Sequence, residues 1–391
     1  MSASESSPFP LAGIQAVANA HNEWVAVSVH LPPDAGDAIA ALTTLLGYPD
    51  VFAALAPLDC IIPIADPLAI GAGLLEVLPA QRILFRVPTE LCAEKPVQAK
   101  CKALTDEGYR IVADGAGGIA AAQAGARALS FNGAAELPQA FQLMLMPGPH
   151  LARNVDTAAR LAQCRALGFG WFAGDYALDA AKAGGAGDDG TSRKRLLALL
   201  GLLARDADSR ELETLLKQDP ALSYHLLKLV NSAAFAMSSP INNFGQAINM
   251  LGRRQLQRWL QLLLYARQHD DGGANALLPL AAVRAAQMEM LSKINGGDRD
   301  QQDLAFMAGV FSLLDVLLGM PMRDIVGALN LAPDIEAALL ERAGPLGAML
   351  ALTEQHIVSA AALDAVGIDA ETYWRSLLQA YHWAIQVSRN L

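Results

Sequence analysis

The hydrophobic pattern of this chain changes its period near the middle, and that change limits the folds open to it. Between Ile14 and Leu178, short apolar segments typical of strands alternate with longer segments rich in Ala and Leu. Alternating strands and helices predict βα units around a parallel sheet. Seven or eight such units are compatible with a (β/α)₈ barrel, although a count of weak strands does not establish closure.

The predicted strands of this half share a short apolar run bounded by turn residues. They are Val25–Leu31, Cys60–Ile64, Arg82–Val87, Tyr109–Ala113, Ala128–Phe131, Leu143–Met146 and Gly170–Phe172. The helical segments between them include Asp37–Leu46, Pro67–Leu75, Pro96–Glu107 and Thr157–Leu167.

A segment without any apolar period separates the two halves. Asp179–Arg193 reads DAAKAGGAGDDGTSR, and this Gly-, Ala- and Asp-rich composition predicts a flexible linker. The Ser- and Pro-rich N-terminus predicts disorder. We therefore expect a disordered segment at 1–12, an α/β domain at 13–178, the linker at 179–193 and a helical domain at 194–391.

The stretch Gln218–Tyr265 predicts three helices on short connections. Asp219 fits an N-cap, and Pro220 fits the first helical turn. Asn231-Ser232 ends the first helix, and Gly252 permits a tight turn into the third. Leucines at helical spacing then predict a compact helical core.

The same stretch, DPALSYHLLKLVNSAAF followed by INNFGQAINMLGRRQLQRWL, resembles the signature of the HD-related output domain, HDOD, found in bacterial signalling proteins. The residues that carry the resemblance are Asp219, Pro220, Asn231, Ser232 and Gly252. The HD superfamily is named for a metal-binding His-Asp pair, and by this resemblance the corresponding slot reads Ser312-Leu313. The resemblance thus implies a helical bundle that has lost that metal pair.

Two histidines of this half are candidate HD metal ligands. His269 begins a literal His-Asp doublet, but it runs into Gly272-Gly273, and we interpret it as an exposed residue near a helix C-terminus. His225 lies on the first helix of the signature, and we interpret it as a partly buried core histidine.

The first half carries a second resemblance. The segments RILFRVPTEL and HLARNVDTAARLAQCRALGFGWFAGDYAL are similar to the barrel of EAL-type cyclic-di-GMP phosphodiesterases. An EAL-like half followed by an HDOD half is the arrangement of the EAL-HDOD signalling proteins. The two resemblances together cover nearly the whole chain and imply an α/β barrel followed by an all-α bundle.

The resemblance also implies a degenerate barrel site. EAL enzymes hold divalent metals with several carboxylates and an Asn at strand ends, because the cations must activate water and neutralise the phosphate. Arg86 or a neighbour stands for one family Glu. The other matching positions are Asp114, Arg153, Asp156 and Ala173. We therefore predict no catalytic residues, no metal and no cofactor.

Two of these positions allow more than one interpretation. We interpret Asp114 as a turn or cap residue before Gly115 rather than a metal ligand. For Arg153, a structural ion pair is favoured, and an anion site stays open.

Composition excludes several classes of protein. The net charge of −10 argues against general nucleic-acid binding, which depends on Lys and Arg. No run of about 18 apolar residues lacks charges or breakers, so we expect no membrane span. The N-terminus lacks the features of a secretory signal, and the four cysteines show no CxxC spacing, so we expect a cytoplasmic protein.

These observations predict a non-catalytic signalling or scaffold protein that acts by binding protein partners, with a homodimer as one possibility. The alternative is a sensor whose barrel binds cyclic-di-GMP or another anionic nucleotide without cutting it. A third hypothesis is an HD-type metal phosphohydrolase using His225 and His269.

Overall fold

The computed structural model describes residues 8–183, 253–266, 275–329 and 331–390, and the single positions Ala198, Gly201, Leu202 and Glu211. The chain divides into two compact units. The first takes in most of the chain up to Tyr176 and also Gln355–Leu378. The second takes in the helices up to Glu354 and the chain from Gln379 onward.

The first unit is a closed barrel of eight strands that follow one another in sequence order. The strand β1 runs antiparallel to both of its neighbours, and all other pairs are parallel. The strands are β1 Gly13–Asn19, β2 Trp24–His30, β3 Asp59–Pro63, β4 Ile83–Pro88, β5 Arg110–Asp114, β6 Ala128–Asn132, β7 Leu151–Arg153 and β8 Trp171–Phe172.

The helices of this half of the chain follow the strands as the alternation predicts. They are α1 Ala38–Leu46, α2 Val51–Ala54, α3 Ala72–Glu76, α4 Lys95–Asp106, α5 Gly118–Gln123, α6 Ala140–Met144, α7 Ala158–Leu167 and α8 Tyr176–Ala183. Asp37 caps α1 by accepting from two backbone N–H groups, and Thr157 caps α7. Both caps satisfy N–H groups that the first helical turn leaves free.

The predicted strand at Leu143–Met146 is wrong, because Ala140–Met144 is a helix. Gln139 and Gln142 form a capping box there, which fixes the helix start. Met144 and Leu145 are exposed, so this apolar run does not pack in the barrel as a strand would. The prediction also missed β1 and the three-residue strand β7, which stops at Asn154 in the left-handed region (φ 52°).

The described part of the second unit is helical. Its helices are α9 Arg253–Ala266, α10 Leu277–Ile294, α11 Arg299–Phe311, α12 Leu314–Leu318, α13 Met322–Leu329, α14 Pro333–Glu341 and α15 Gly344–Thr353. Beyond them, α16 Ala360–Val366 belongs to the barrel unit, and α17 Ala370–Asn390 ends the described chain. The predicted fold class, α/β barrel plus all-α, is confirmed.

Several predictions fall on residues outside the described ranges. These are the signature positions Asp219, Pro220, Asn231, Ser232 and Gly252, the histidines His225 and His269, and most of the linker. The domain boundaries at 12, 178 and 193 stay predictions.

Helices α10 and α11 pack closely at Gly309. A Cβ on Gly309 would lie 2.6 Å from the Cα of Ala285, nearer than real Cβ atoms come. We expect Gly309→Ala to lower the free energy of unfolding by about 1–3 kcal/mol, because the helices must separate. Gly327→Ala, in α13 with nothing within 4 Å of its Cβ position, should instead be neutral or stabilising. Urea unfolding followed by circular dichroism compares the two; equal effects would contradict the close contact.

Candidate functional site at the carboxyl end of the barrel

The barrel interior is built in layers, and each strand, or the residue just after it, contributes one side chain to a layer. The apolar layer is formed by Val17, Ala26, Ile61, Leu84, Val112, Ala128, Leu151 and Ala173. Side chains two residues apart on a strand share a face. The next inward layer, toward the carboxyl ends of the parallel strands, is therefore largely polar: Ser28, Pro63, Arg86, Asp114, Ser130 and Arg153. In parallel α/β barrels this end is where ligands bind.

Asp114 is the centre of this polar layer. Its carboxylate lies 2.7 Å from Nη2 of Arg153 and 3.5 Å from Nε of Arg86. The Nε of Arg153 also donates to Oγ of Ser130, at 2.9 Å. The side chains of Arg86, Asp114 and Arg153 are mostly buried, at 12%, 24% and 21% exposure. One carboxylate thus holds two guanidinium groups, which leaves a formal charge of +1 in these three residues.

Three buried polar atoms of this region have no hydrogen-bond partner in the described part of the chain. They are Oγ of Ser28, Nε2 of His30 and Nη1 of Arg86. Ser28 and His30 lie on β2, and Arg86 lies on β4, with β3 between them. Buried polar groups are normally paired, since an unpaired one costs about 1–3 kcal/mol. These three atoms can therefore bind water or a polar ligand at this end of the barrel.

The charges at the carboxyl end of the barrel, here called the barrel mouth, favour the binding of an anion. Burial, together with the positive charges of Arg86 and Arg153, lowers the pKa of His30 to about 4. Burial also lowers the pKa of Arg86 to about 10, helped by Arg153 and opposed by Asp114. At neutral pH both arginines are charged and His30 is neutral. A bound anion would relieve the repulsion between the two guanidinium groups.

The structure brings together some of the predicted site residues and separates others. Asp114 and Arg153 form the ion pair that was the favoured interpretation of Arg153. The interpretation of Asp114 as a turn or cap residue is wrong, because its carboxylate pairs with two arginines instead. Asp156 is exposed and accepts a hydrogen bond from the backbone N–H of Asp175. Ala173 lies in the apolar layer.

Sequence reasoning missed Ser28, His30 and Ser130 as site residues. A signal was present, because most of the parallel strands place a polar residue two positions after the inward apolar residue. The runs Leu84-Phe85-Arg86 and Val112-Ala113-Asp114 show this spacing. Applying the two-residue period to each strand end would have identified the layer.

The predicted HD slot lies at the end of α11. Ser312 is the C-cap of that helix, and its hydroxyl donates to the backbone carbonyl of Gly309 at 2.8 Å. The same hydroxyl accepts from Nη1 of Arg284 at 3.1 Å, and Leu313 is buried. Neither side chain offers a ligand that a divalent metal prefers. Ser312 and Leu313 therefore form a buried helix end. The loss of a metal-binding pair at these positions stays a prediction from the resemblance.

In the described part of the barrel, metal-ligating side chains do not form a cluster. Among the described residues, no group of three or more His, Cys, Asp and Glu side chains lies close enough to hold a metal. The carboxylate of the polar layer, Asp114, is already engaged by two arginines.

Comparison with known proteins identifies the helical half. A family model of the HDOD domain matches residues 194–312. The predicted HDOD domain is confirmed in the helical half, and it follows a closed barrel of eight strands.

Two curated relatives match the chain in sequence. The cyclic di-GMP phosphodiesterase CdgJ of Vibrio cholerae is 30% identical over 253 residues, which cover 61% of this chain and 56% of the relative. The uncharacterized protein YuxH of Bacillus subtilis is 26% identical over 241 residues, covering 60% and 58%. The chain thus spans a little over half the length of these relatives.

Solved structures also match. PaMucR phosphodiesterase in complex with c-di-GMP matches 42% of this chain and 94% of its own, at 14% identity and a TM-score of 0.36. A phosphohydrolase from Shewanella amazonensis matches 51% of this chain and 93% of its own, at 17% identity and a TM-score of 0.34.

The prediction of a non-catalytic scaffold is contradicted by these findings, and so is the prediction that the chain is not an enzyme. The relative at 30% identity is named as a phosphodiesterase of cyclic di-GMP. The alternative prediction, which involved cyclic-di-GMP, is better supported.

No described helix is both long and apolar enough to cross a membrane. The cytoplasmic location, the protein partners, the homodimer and the absence of nucleic-acid binding stay predictions.

His30 provides a direct test of the site's electrostatics. We expect its Hε1 resonance to titrate near pH 4, because burial and the neighbouring arginines disfavour its charged form. Since the folded pKa lies below the unfolded value of about 6.5, the folded protein loses stability as pH falls between these values, by about 3 kcal/mol at pH 4. An NMR titration measures the pKa, and His30→Gln assigns the resonance by removing it. A midpoint near 6.5 would show that His30 faces water.

Proposed function

We propose that the barrel mouth binds cyclic-di-GMP, or a closely related anionic nucleotide, and that the protein acts in cyclic-di-GMP signalling. The observation that carries the proposal is the set of unpaired buried atoms on Ser28, His30 and Arg86 beside a second arginine. The named activity of the Vibrio cholerae relative supplies the ligand class.

The chemistry of the polar layer suits a phosphodiester. A phosphodiester carries one negative charge and two unsubstituted oxygens, which accept hydrogen bonds from guanidinium groups in a planar geometry. Nη1 of Arg86 is available as a donor, and the hydroxyl of Ser28 can donate as well. Asp114 holds the two arginines in place before the ligand arrives, so little entropy is lost in ordering them. The layer is thus preorganised for one anionic group.

The test is a calorimetric titration of the whole protein with cyclic-di-GMP. We expect saturable binding by the wild type and a loss of about 10- to 100-fold in affinity for Arg86→Gln, since a charged hydrogen bond contributes about 1.5–3 kcal/mol. The matched control is Arg110→Gln. Arg110 starts β5 at the opposite end of the barrel, where it pairs with Asp59 at 2.6 Å.

Arg110→Gln should bind as the wild type does. If the two variants lose affinity equally, the loss reflects a general effect of charge and not the polar layer. If the wild type does not bind the dinucleotide, the proposed function is wrong.

A second candidate is hydrolysis of cyclic-di-GMP, favoured by the name of the relative at 30% identity. The described residues supply no cluster of metal ligands for it. If this activity is present, Asp114 is the carboxylate of the polar layer on which it would depend.

We therefore expect any turnover in the presence of Mg²⁺ or Mn²⁺ to fall sharply in Asp114→Asn. Chromatographic separation of the linear product measures it, and Asp59→Asn, at the opposite end of the barrel, is the matched control. Turnover that is equal in wild type and Asp114→Asn would place the reaction outside this layer.

A further inference from the structure

A segment from far along the chain lies against the barrel mouth. Gly13 is the first residue of β1, and because β1 is antiparallel, its start lies at the same end as His30, its register partner. A Cβ on Gly13 would lie only 1.7 Å from the backbone oxygen of His356. The two backbones therefore touch, and only glycine allows this approach.

The side chain of His356 extends the contact from β1 to the loop after β8, the strand that pairs with β1. Its Nε2 lies 3.1 Å from Oδ2 of Asp175, in the loop that follows β8. His356 is also one of the groups whose charge acts on His30. The segment Gln355–Val358, here called the latch, thus bridges β1, β2 and the end of β8, beside the unpaired atoms of His30 and Ser28.

Buried side chains at the end of the latch and after it hold it on the barrel unit. Val358 is 2% exposed, and Trp374, in α17, is 1% exposed. The indole N–H of Trp374 donates to the backbone carbonyl of Leu45 in α1, at 3.2 Å. The latch itself is more exposed, and its His356 side chain is 60% accessible. None of the four residues between α15 and Val358 is buried, so few contacts oppose their displacement.

We propose that the latch and the ligand of the barrel mouth exclude one another, so that release of the latch controls binding. The proposal rests on the proposed function. A dinucleotide that reaches Ser28, His30 and Arg86 must pass beside Gly13, where the latch backbone lies. If the latched form predominates, the apparent affinity is reduced by the fraction of molecules that are open.

The experiment disturbs the latch without touching the polar layer. Gly13→Ala introduces a methyl group where the oxygen of His356 lies, and His356→Ala removes the contact with Asp175 more gently. Gly71→Ala is the control, since nothing lies within 4 Å of its Cβ position. Hydrogen exchange of residues 355–358, read by mass spectrometry, reports the latch, and calorimetry with cyclic-di-GMP reports binding.

We expect hydrogen exchange at 355–358 to be faster in Gly13→Ala and His356→Ala than in the wild type. These two variants should also bind cyclic-di-GMP at least about fivefold more tightly, and Gly71→Ala should match the wild type in both measurements. By the same linkage, cyclic-di-GMP added to the wild type should speed exchange at 355–358. His356→Ala keeps the test valid if Gly13→Ala does not fold.

The possible failures are distinguishable. Faster exchange with unchanged affinity overturns the latch and leaves the proposed function standing, and so does slower exchange when ligand is added to the wild type. No binding by any of the four proteins overturns the proposed function and the latch with it.

Discussion

The pairing of one carboxylate with two guanidinium groups is the interaction on which the barrel mouth depends. Arg86 and Arg153 lie within a mostly buried layer, and two like charges there would repel one another at high cost. Asp114 lies between them and offsets that repulsion, with Ser130 orienting Arg153. Without this carboxylate the layer would have to swell or admit water. With it, the layer is stable and keeps one positive charge in excess.

The excess positive charge of this layer determines which kind of ligand the barrel mouth attracts. A barrel whose strands end in carboxylates attracts cations, whereas this barrel ends in arginines and attracts anions. The two kinds of mouth can serve the same class of ligand, because a phosphodiester can be held through metals or directly by guanidinium groups. Under the proposed function, the arginine layer would hold the phosphodiester directly by its guanidinium groups.

The alternation of strands and helices was readable from the sequence because it depends on local hydrophobic period. Helix α6 was misread because Leu143, Met144 and Leu145 form an apolar run whose exposure no local pattern reveals. The link from Arg153 to Asp114 joins two strands across β6, so the barrel must close before the residues meet. Arg86 could be aligned with the family, but its two neighbours in space could not be inferred from its neighbours in sequence.

The hydrogen bond from Trp374 to Leu45 joins residues 329 positions apart. The barrel unit is thus discontinuous: its strands are synthesised first, and one of its packing segments emerges only after the second unit's helices up to Glu354. Contacts so distant in sequence form slowly, because a long loop must close before they are made. On the ribosome, the nascent barrel would wait with the surface around α1 uncovered, a period in which a chaperone could hold it.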